Sequence, residues 1–260
     1  MQTHPDSERR VALVTGGAKG IGAEVCARLA AAGHHVLVAD LDTEAAEATA
    51  LRLREAGGQA VALTLDVGRP ESIAQTFDHV ERTFGRCDIL VNCAGIAKVF
   101  PFLDFPLDNF VATMNMNINV TGTLLRAQAA ARLMLRRRWG RIVNIASVAG
   151  MRAVGSGRTA YGTSKGAVIA LTRQMAVELA EHGITANAVA PGPVDTPMTQ
   201  ALHTEAFRQE YSKAIPMNRY GSTAEVAAAV MYLVSEDAAY TSGIAMPVDG
   251  GFLASGARGL

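Results

Sequence analysis

The chain has 260 residues, 49% of them apolar and 18% charged, which is ample material for a core and excludes a disordered protein. Lysine plus arginine equals aspartate plus glutamate, at 24 each, so the neutral balance argues against nucleic acid as a partner, because phosphate backbones call for a basic surface. Three cysteines with no C-x-x-C pair exclude a disulfide framework and a zinc site, no metal is expected, and the usage fits a reducing compartment.

The opening MQTHPDSERR is polar and lacks the apolar stretch of a signal peptide. Residues 1–9 are expected to be flexible. No apolar run approaches the ~20 residues of a membrane span. The expectation is a cytoplasmic protein with no membrane partner.

Strands are then predicted at Val11–Thr15, His35–Ala39, Ala60–Leu65, Ile89–Val91, Arg141–Ile145, Thr185–Ala190 and Ala245–Val248. Several are apolar almost throughout, as strands buried on both faces of a parallel sheet must be. Helical stretches separate them at Ile21–Ala32, Thr43–Ala56, Glu71–Phe84, Leu107–Arg136, Tyr161–Glu181 and Thr223–Ser235. The basic run Arg136-Arg137-Arg138 places cations at a helix C-terminus, where the dipole favours them. This alternation predicts one α/β domain over residues 1–260: a doubly wound, mostly parallel, Rossmann-like sheet with helices on both faces. From Pro191 to about Gly221 no strand is evident and four prolines interrupt the chain. Met198, Leu202, Phe207, Ile215 and Met217 make that stretch apolar, so a helical lid is expected there.

The first strand runs into Thr15-Gly16-Gly17-Ala18-Lys19-Gly20-Ile21-Gly22, and a helix follows. Strand, glycine turn and helix N-terminus form the context of a dinucleotide site: the backbone approaches the pyrophosphate at Gly16, Gly20 and Gly22, and the free amides from Lys19 to Gly22 bind the anion. The spacing is G-x-x-x-G-x-G rather than G-x-G-x-x-G. Asp40, followed by Leu41, stands where a carboxylate binds the adenosine ribose hydroxyls and repels a 2′-phosphate. Asp42 follows and no arginine does, which favours NAD over NADP. Lys19 argues the other way if it pairs with such a phosphate, and is neutral to the choice if it faces solvent. Asp66-Val67 and Asn92-Cys93-Ala94-Gly95 follow the next two strands, at the sheet end where open α/β sheets bind ligands.

Ser147 lies just past the fifth strand, and Tyr161 and Lys165 open a helix at i, i+4, on one face. A free tyrosine has a pKa of ~10, so service as a base near neutrality requires stabilised phenolate, which a nearby ammonium provides.

Taken together, these motifs resemble the short-chain dehydrogenase/reductase family in its compact single-domain branch. The resemblance runs from Thr15 to Gly251 through TGGAKGIG, Asp66, NCAG, Asn119 in Asn117-Ile118-Asn119-Val120, Ser147, YGTSK, Pro191-Gly192 and Val248-Asp249-Gly250-Gly251. It implies that Tyr161 is the acid/base, that Lys165 tunes it and binds the nicotinamide ribose, that Ser147 holds the substrate oxygen, and that Asn119 holds a relay water. It also implies that Pro191, Gly192, Val194 and Thr196 wrap the nicotinamide, and that the chain is a homotetramer whose C-terminal tail, with Phe252, Leu253 and Leu260, reaches a neighbouring subunit. Cys93 stands where relatives often carry a second asparagine, and a small thiol should pack there.

The expected activity is interconversion of a secondary alcohol (polyol, sugar, hydroxy acid or hydrophobic alcohol) and its ketone, with NAD as cofactor. The alternatives are an NADPH-dependent 3-oxoacyl-thioester reductase and a non-catalytic nucleotide sensor. Ile96, Phe100, Ala149, Met151, Val154, Pro193, Met198 and Leu202 are the expected pocket residues, by motif proximity. Arg152 and Arg158 border the same place, either to meet an anionic substrate group or as solvated or subunit-contact arginines.

Overall fold

The computed structural model describes residues 9–114 and 120–255. In chain order the elements are β1 (Val11–Thr15), α1 (Gly20–Ala31), β2 (His35–Asp40), α2 (Thr43–Glu55), β3 (Gln59–Thr64), α3 (Pro70–Phe84), β4 (Ile89–Asn92), α4 (Leu107–Met114), α5 (Thr121–Leu135), β5 (Gly140–Ile145), α6 (Thr159–Leu179), β6 (Ile184–Pro191), α7 (Pro197–Leu202), α8 (Glu205–Ala214), α9 (Thr223–Val234) and β7 (Ala245–Val248). The strands form one seven-stranded sheet in the order β3-β2-β1-β4-β5-β6-β7. Every pairing is parallel.

Alternation along the strands divides the core into two layers. Ala12, Val14, Val36, Val38, Val91 and Val143 face α1, α2 and α9, meeting Val25, Leu29, Ala50 and Val230. Leu13, Leu37, Leu90 and Ile142 face α3, α5 and α6, meeting Phe77, Val80, Ala130, Met134 and Met175. Strands covered on both sides explain why β1 and β4 read as apolar runs up to their last residue.

The stretch predicted as a single helix over Leu107–Arg136 holds two described helices, α4 and α5. Residues 115–119 between them lie outside the described residues. The second helix starts its own ladder, with Leu124 N donating to the Val120 carbonyl at 2.9 Å. Beyond its end, Arg136 pairs with Glu81 and Arg138 donates to the Glu181 carbonyl.

The strandless segment after β6 is helical, as its apolar content predicts. Thr196 caps α7 in a capping box with Thr199, and Thr204 caps α8. The two ends of the excursion are tied to each other: Gly221 N donates to the Pro193 carbonyl and Asp195 N to the Gly221 carbonyl, each at 2.9 Å. Its base rests on the turn after β7, where the Asp249 carboxylate accepts from Gly251 N and Leu253 N. Phe252 is buried there with Val148 and Ile215, and Val154, Tyr211, Tyr220 and Leu253 pack around them. Phe252 thus lies in this chain's own core with Leu253 packed against it. Leu260 lies outside the described residues.

Candidate active site

The sheet delivers its polar residues to the C-terminal ends of β1, β2, β4, β5 and β6. At β1, Thr15 Oγ1 accepts from Cys93 N and Ala94 N, both at 3.2 Å, which locks the glycine turn to the loop after β4. A side chain on Gly16, whose φ is +65°, would sit 2.9 Å from the Ala94 backbone. One on Gly22 would lie 2.0 Å from the Gly16 carbonyl oxygen. Only glycine fits either position, so the turn can pack this closely on itself and on the loop after β4. Helix α1 begins at Gly20 with no side chain capping its N-terminus, and its first amides are available to an anion.

Asp40 closes β2 with its carboxylate turned to this turn, accepting from Ala18 N and Asp42 N, each at 3.1 Å. Lys19 forms an exposed ion pair with Asp42 at 2.8 Å. Its charge is thus already answered within the chain. Asp42 also caps α2 by accepting from Ala45 N. Leu41 is exposed. Asp66 folds its own loop, accepting from Gly68 N, and Val67 is buried. A glycine cradle, an uncapped helix start and a carboxylate at the second strand end suit a dinucleotide, and the residues present fit that group.

The structure points the Asn92 side chain inward rather than toward such a ligand. Its Nδ2 donates to Asn144 Oδ1 at 2.9 Å, and its Oδ1 accepts from Arg126 Nε at 2.7 Å. Asn144 continues the chain to Thr172 Oγ1. Arg126 is fully buried, donates also to Thr123, and among the described residues finds no partner for Nη1. Burial lowers its pKa to about 9. Sequence reasoning missed this network. Its one signal is an arginine among the small apolar residues of α5.

Ser147 leaves β5 in extended backbone and caps a tight turn, accepting from Ala149 N at 3.1 Å. That turn is pressed onto α6. A side chain on Gly150 would lie 2.5 Å from the Lys165 backbone, and one on Gly162 would lie 3.0 Å from the Ala149 carbonyl. The close packing carries Ser147 to the side of Tyr161, where its hydroxyl favours the phenolate. One turn on, the buried Lys165 Nζ lies 5.8 Å from the Tyr161 ring centre and donates to the Ile145 carbonyl at 2.8 Å. Ser147, Tyr161 and Lys165 are thus brought together, while Asn119 lies outside the described residues.

Burial lowers the Lys165 pKa to about 8, with Cys93 opposing and the Arg126 charge adding to the effect. Burial also raises the Tyr161 phenol, against the lowering influence of Ser147 and Arg158. Lys165 is not among the groups that lower the phenol in this structure, and desolvation sets the direction of the shift. Cys93 is partly buried against the core and its thiol is pushed up to about 12, so it packs there as an inert group.

Of the wrapping residues, Pro191 ends β6, Gly192 N donates to the Val248 carbonyl, and Val194 is buried. The Thr196 hydroxyl is engaged in capping α7, and its methyl side lies beside Gly20. Among the expected pocket residues, Met151, Met198 and Leu202 are exposed and Pro193 is buried. Ile96, Ala149 and Val154 are half-buried, and Val154 is spent on the cluster around Phe252. The two loop arginines part company. Arg152 stacks over the Phe252 ring at 5.1 Å and donates to the carbonyls of Phe252 and Ser255. Arg158 turns to the excursion and meets His203 Nε2 at 3.1 Å.

Residues 16–253 match the family model described as enoyl-(acyl carrier protein) reductase. The chain belongs to the short-chain dehydrogenase/reductase family. It is 39% identical to the 3-oxoacyl-[acyl-carrier-protein] reductase FabG of Aquifex aeolicus, over 93% of this chain and 96% of the other. It is 37% identical to the 5-keto-D-gluconate 5-reductase of Escherichia coli K12, over 93% and 94%. A gluconate 5-dehydrogenase from Burkholderia cenocepacia, solved with NADP and tartrate, superposes with a TM-score of 0.89 at 35% identity, over 95% and 96%. Membership makes the chain an oxidoreductase acting on an alcohol or its ketone.

Proposed function

We propose that the chain is an NAD(H)-dependent dehydrogenase that interconverts a secondary alcohol and its ketone, with Tyr161 as acid/base. The observation that carries this reading is the joining of Ser147, Tyr161 and Lys165 at the sheet end that also holds the glycine cradle. Gly16, Gly20, Ile21, Gly22, Ala94, Gly95 and the strand end at Pro191-Gly192 would hold the dinucleotide, with Asp66 and Val67 at its adenine and Val194 and Thr196 at its carboxamide. A bound nicotinamide supplies the hydride acceptor or donor and, when oxidised, a positive charge close to the phenol. In oxidation Tyr161 takes the hydroxyl proton as the carbon gives up its hydride, and in reduction it returns that proton to the ketone oxygen. Ser147 donates to the substrate oxygen, where charge develops. Lys165 steadies the phenolate, and Asn119 connects it to solvent.

The preference for NAD rests on Asp40, which faces the turn that a 2′-phosphate would approach, and on Lys19, which Asp42 already neutralises. A second reading, an NADPH-dependent 3-oxoacyl-thioester reductase, draws on the similarity to the Aquifex reductase. We read the chain as one domain whose 191–221 segment is a lid. We also read it as a homotetramer, supported by the apolar side chains that α4 and α6 expose at Leu107, Val111 and Val177. Following NADH absorbance with NAD or NADP against polyols, hydroxy acids and acetoacetyl thioester tests the reading. Turnover with NAD and alcohols supports it, and turnover confined to NADPH and the thioester replaces it with the second.

A further inference from the structure

Arg158 breaks a local rule. It is the residue at which α6 begins, so its cation sits at the positive end of the helix dipole, and its side chain caps nothing. An arginine there is disfavoured unless something answers its charge. Among the described residues no carboxylate does. Among the described residues its one side-chain hydrogen bond is the contact with His203 Nε2, which uses one of five donors. The neighbouring arginines are already committed: Arg208 to Asp195 and the Tyr220 ring, Arg152 to Phe252 and two carbonyls.

The placement of Arg158 is also fixed. Burial and the charges of Arg158 and Arg208 hold the His203 imidazole below its usual pKa, so it is neutral near pH 7. A neutral ring that accepts at Nε2 carries its proton on Nδ1 and donates it to Tyr220 Oη at 3.0 Å. Two residues of the excursion thus hold the guanidinium at the start of the helix that carries Tyr161. It stands three residues before Tyr161, close enough for its charge to pull on that phenol.

We propose that Arg158, steadied by His203 and Tyr220, anchors a carboxylate of the substrate, which makes the substrate class a hydroxy or oxo carboxylic acid, sugar acids included. The anchor rests on the reading of Tyr161 as the acid/base and adds to it the recognition of the rest of the molecule. A planar guanidinium with unused donors suits a carboxylate fork. A 3-oxoacyl thioester presents no such charge beside its ketone.

The test compares acids with neutral partners of the same carbon skeleton, gluconate against glucitol and 3-hydroxybutyrate against 2-butanol, in the wild type, Arg158→Gln and Tyr161→Phe. Arg158→Gln should raise KM for the acid about ten- to hundredfold and leave KM for the neutral partner unchanged, while any change in kcat from the altered phenol falls on both partners alike. Calorimetric titration of tartrate into the NADH-loaded enzyme provides a readout without turnover, and a melting curve confirms that each variant folds. Tartrate binding lost in Arg158→Gln but kept in Tyr161→Phe supports the anchor even where no alcohol is turned over, in which case it is the Tyr161 reading that fails. Preference for the neutral partners overturns the proposal. So does an equal rise in KM on both members of a pair in Arg158→Gln, which would make the arginine a latch for the excursion. Absence of both tartrate binding and acid turnover in the wild type also overturns it.

Discussion

The Lys165 ammonium donates to the Ile145 carbonyl at 2.8 Å, and this bond ties the helix that carries Tyr161 to the strand that delivers Ser147. The hydrogen bond offsets part of a desolvation cost that holds the folded-state pKa at about 8, against 10.5 for the ordinary side chain. Over that interval the unfolded chain binds more protons than the folded one, so stability rises with pH. Below about pH 8 the full penalty applies, on the order of 3 kcal/mol. Lys165→Met should therefore gain stability relative to the wild type near pH 7. The gap should shrink as pH rises from 8 toward 10. Denaturant melts of both proteins at several pH values check this, and a gap independent of pH contradicts it.

Asp40 and Lys19 make opposite predictions for cofactor choice. Asp40→Ala removes the carboxylate that faces the glycine turn, so the ratio of kcat/KM for NAD over NADP should fall about tenfold or more. Lys19→Ala should leave that ratio nearly unchanged, because Asp42 already pairs with the ammonium. Steady-state kinetics with each cofactor decides. A large drop in NADP use in Lys19→Ala would show that the lysine reaches the phosphate.

Gly22→Ala should abolish dinucleotide binding. Its new methyl would fall 2.0 Å from the Gly16 carbonyl oxygen, and both groups are backbone-anchored, so the turn itself must move. Gly33→Ala is the contrasting variant. Gly33 has φ +87° with nothing within 4 Å of an added Cβ, so it should lose stability through backbone strain alone and still bind nucleotide. Fluorescence titration with NADH and thermal melts separate the two outcomes.

Strands β1, β2 and β4 were legible because parallel strands covered on both faces have no polar alternation to confuse the pattern, and β1 coincides with its predicted bounds. The glycine turn, Asp40, Ser147, Tyr161 and Lys165 were legible because their chemistry follows from position at a strand end or from i, i+4 spacing. Side-chain direction was not. Asn92 reads as a ligand-facing loop residue until its partners, Arg126 and Asn144, are seen 34 and 52 residues away. Arg152 and Arg158 are alike in sequence and are told apart only by where Phe252 and His203 arrive, 100 and 45 residues further on. Lys19 and Asp42 likewise meet across 23 residues, so the neutralised lysine could not be read from the turn alone.

The most direct test of the central claim is NADH formation by the wild type and Tyr161→Phe with NAD and a substrate alcohol. The account predicts turnover by the wild type and a fall in kcat of about 10²–10⁴-fold in the variant. NADH should bind both proteins equally well, because only the phenolic oxygen has been removed. Turnover by Tyr161→Phe at the wild-type rate would contradict the assignment of Tyr161 as the acid/base.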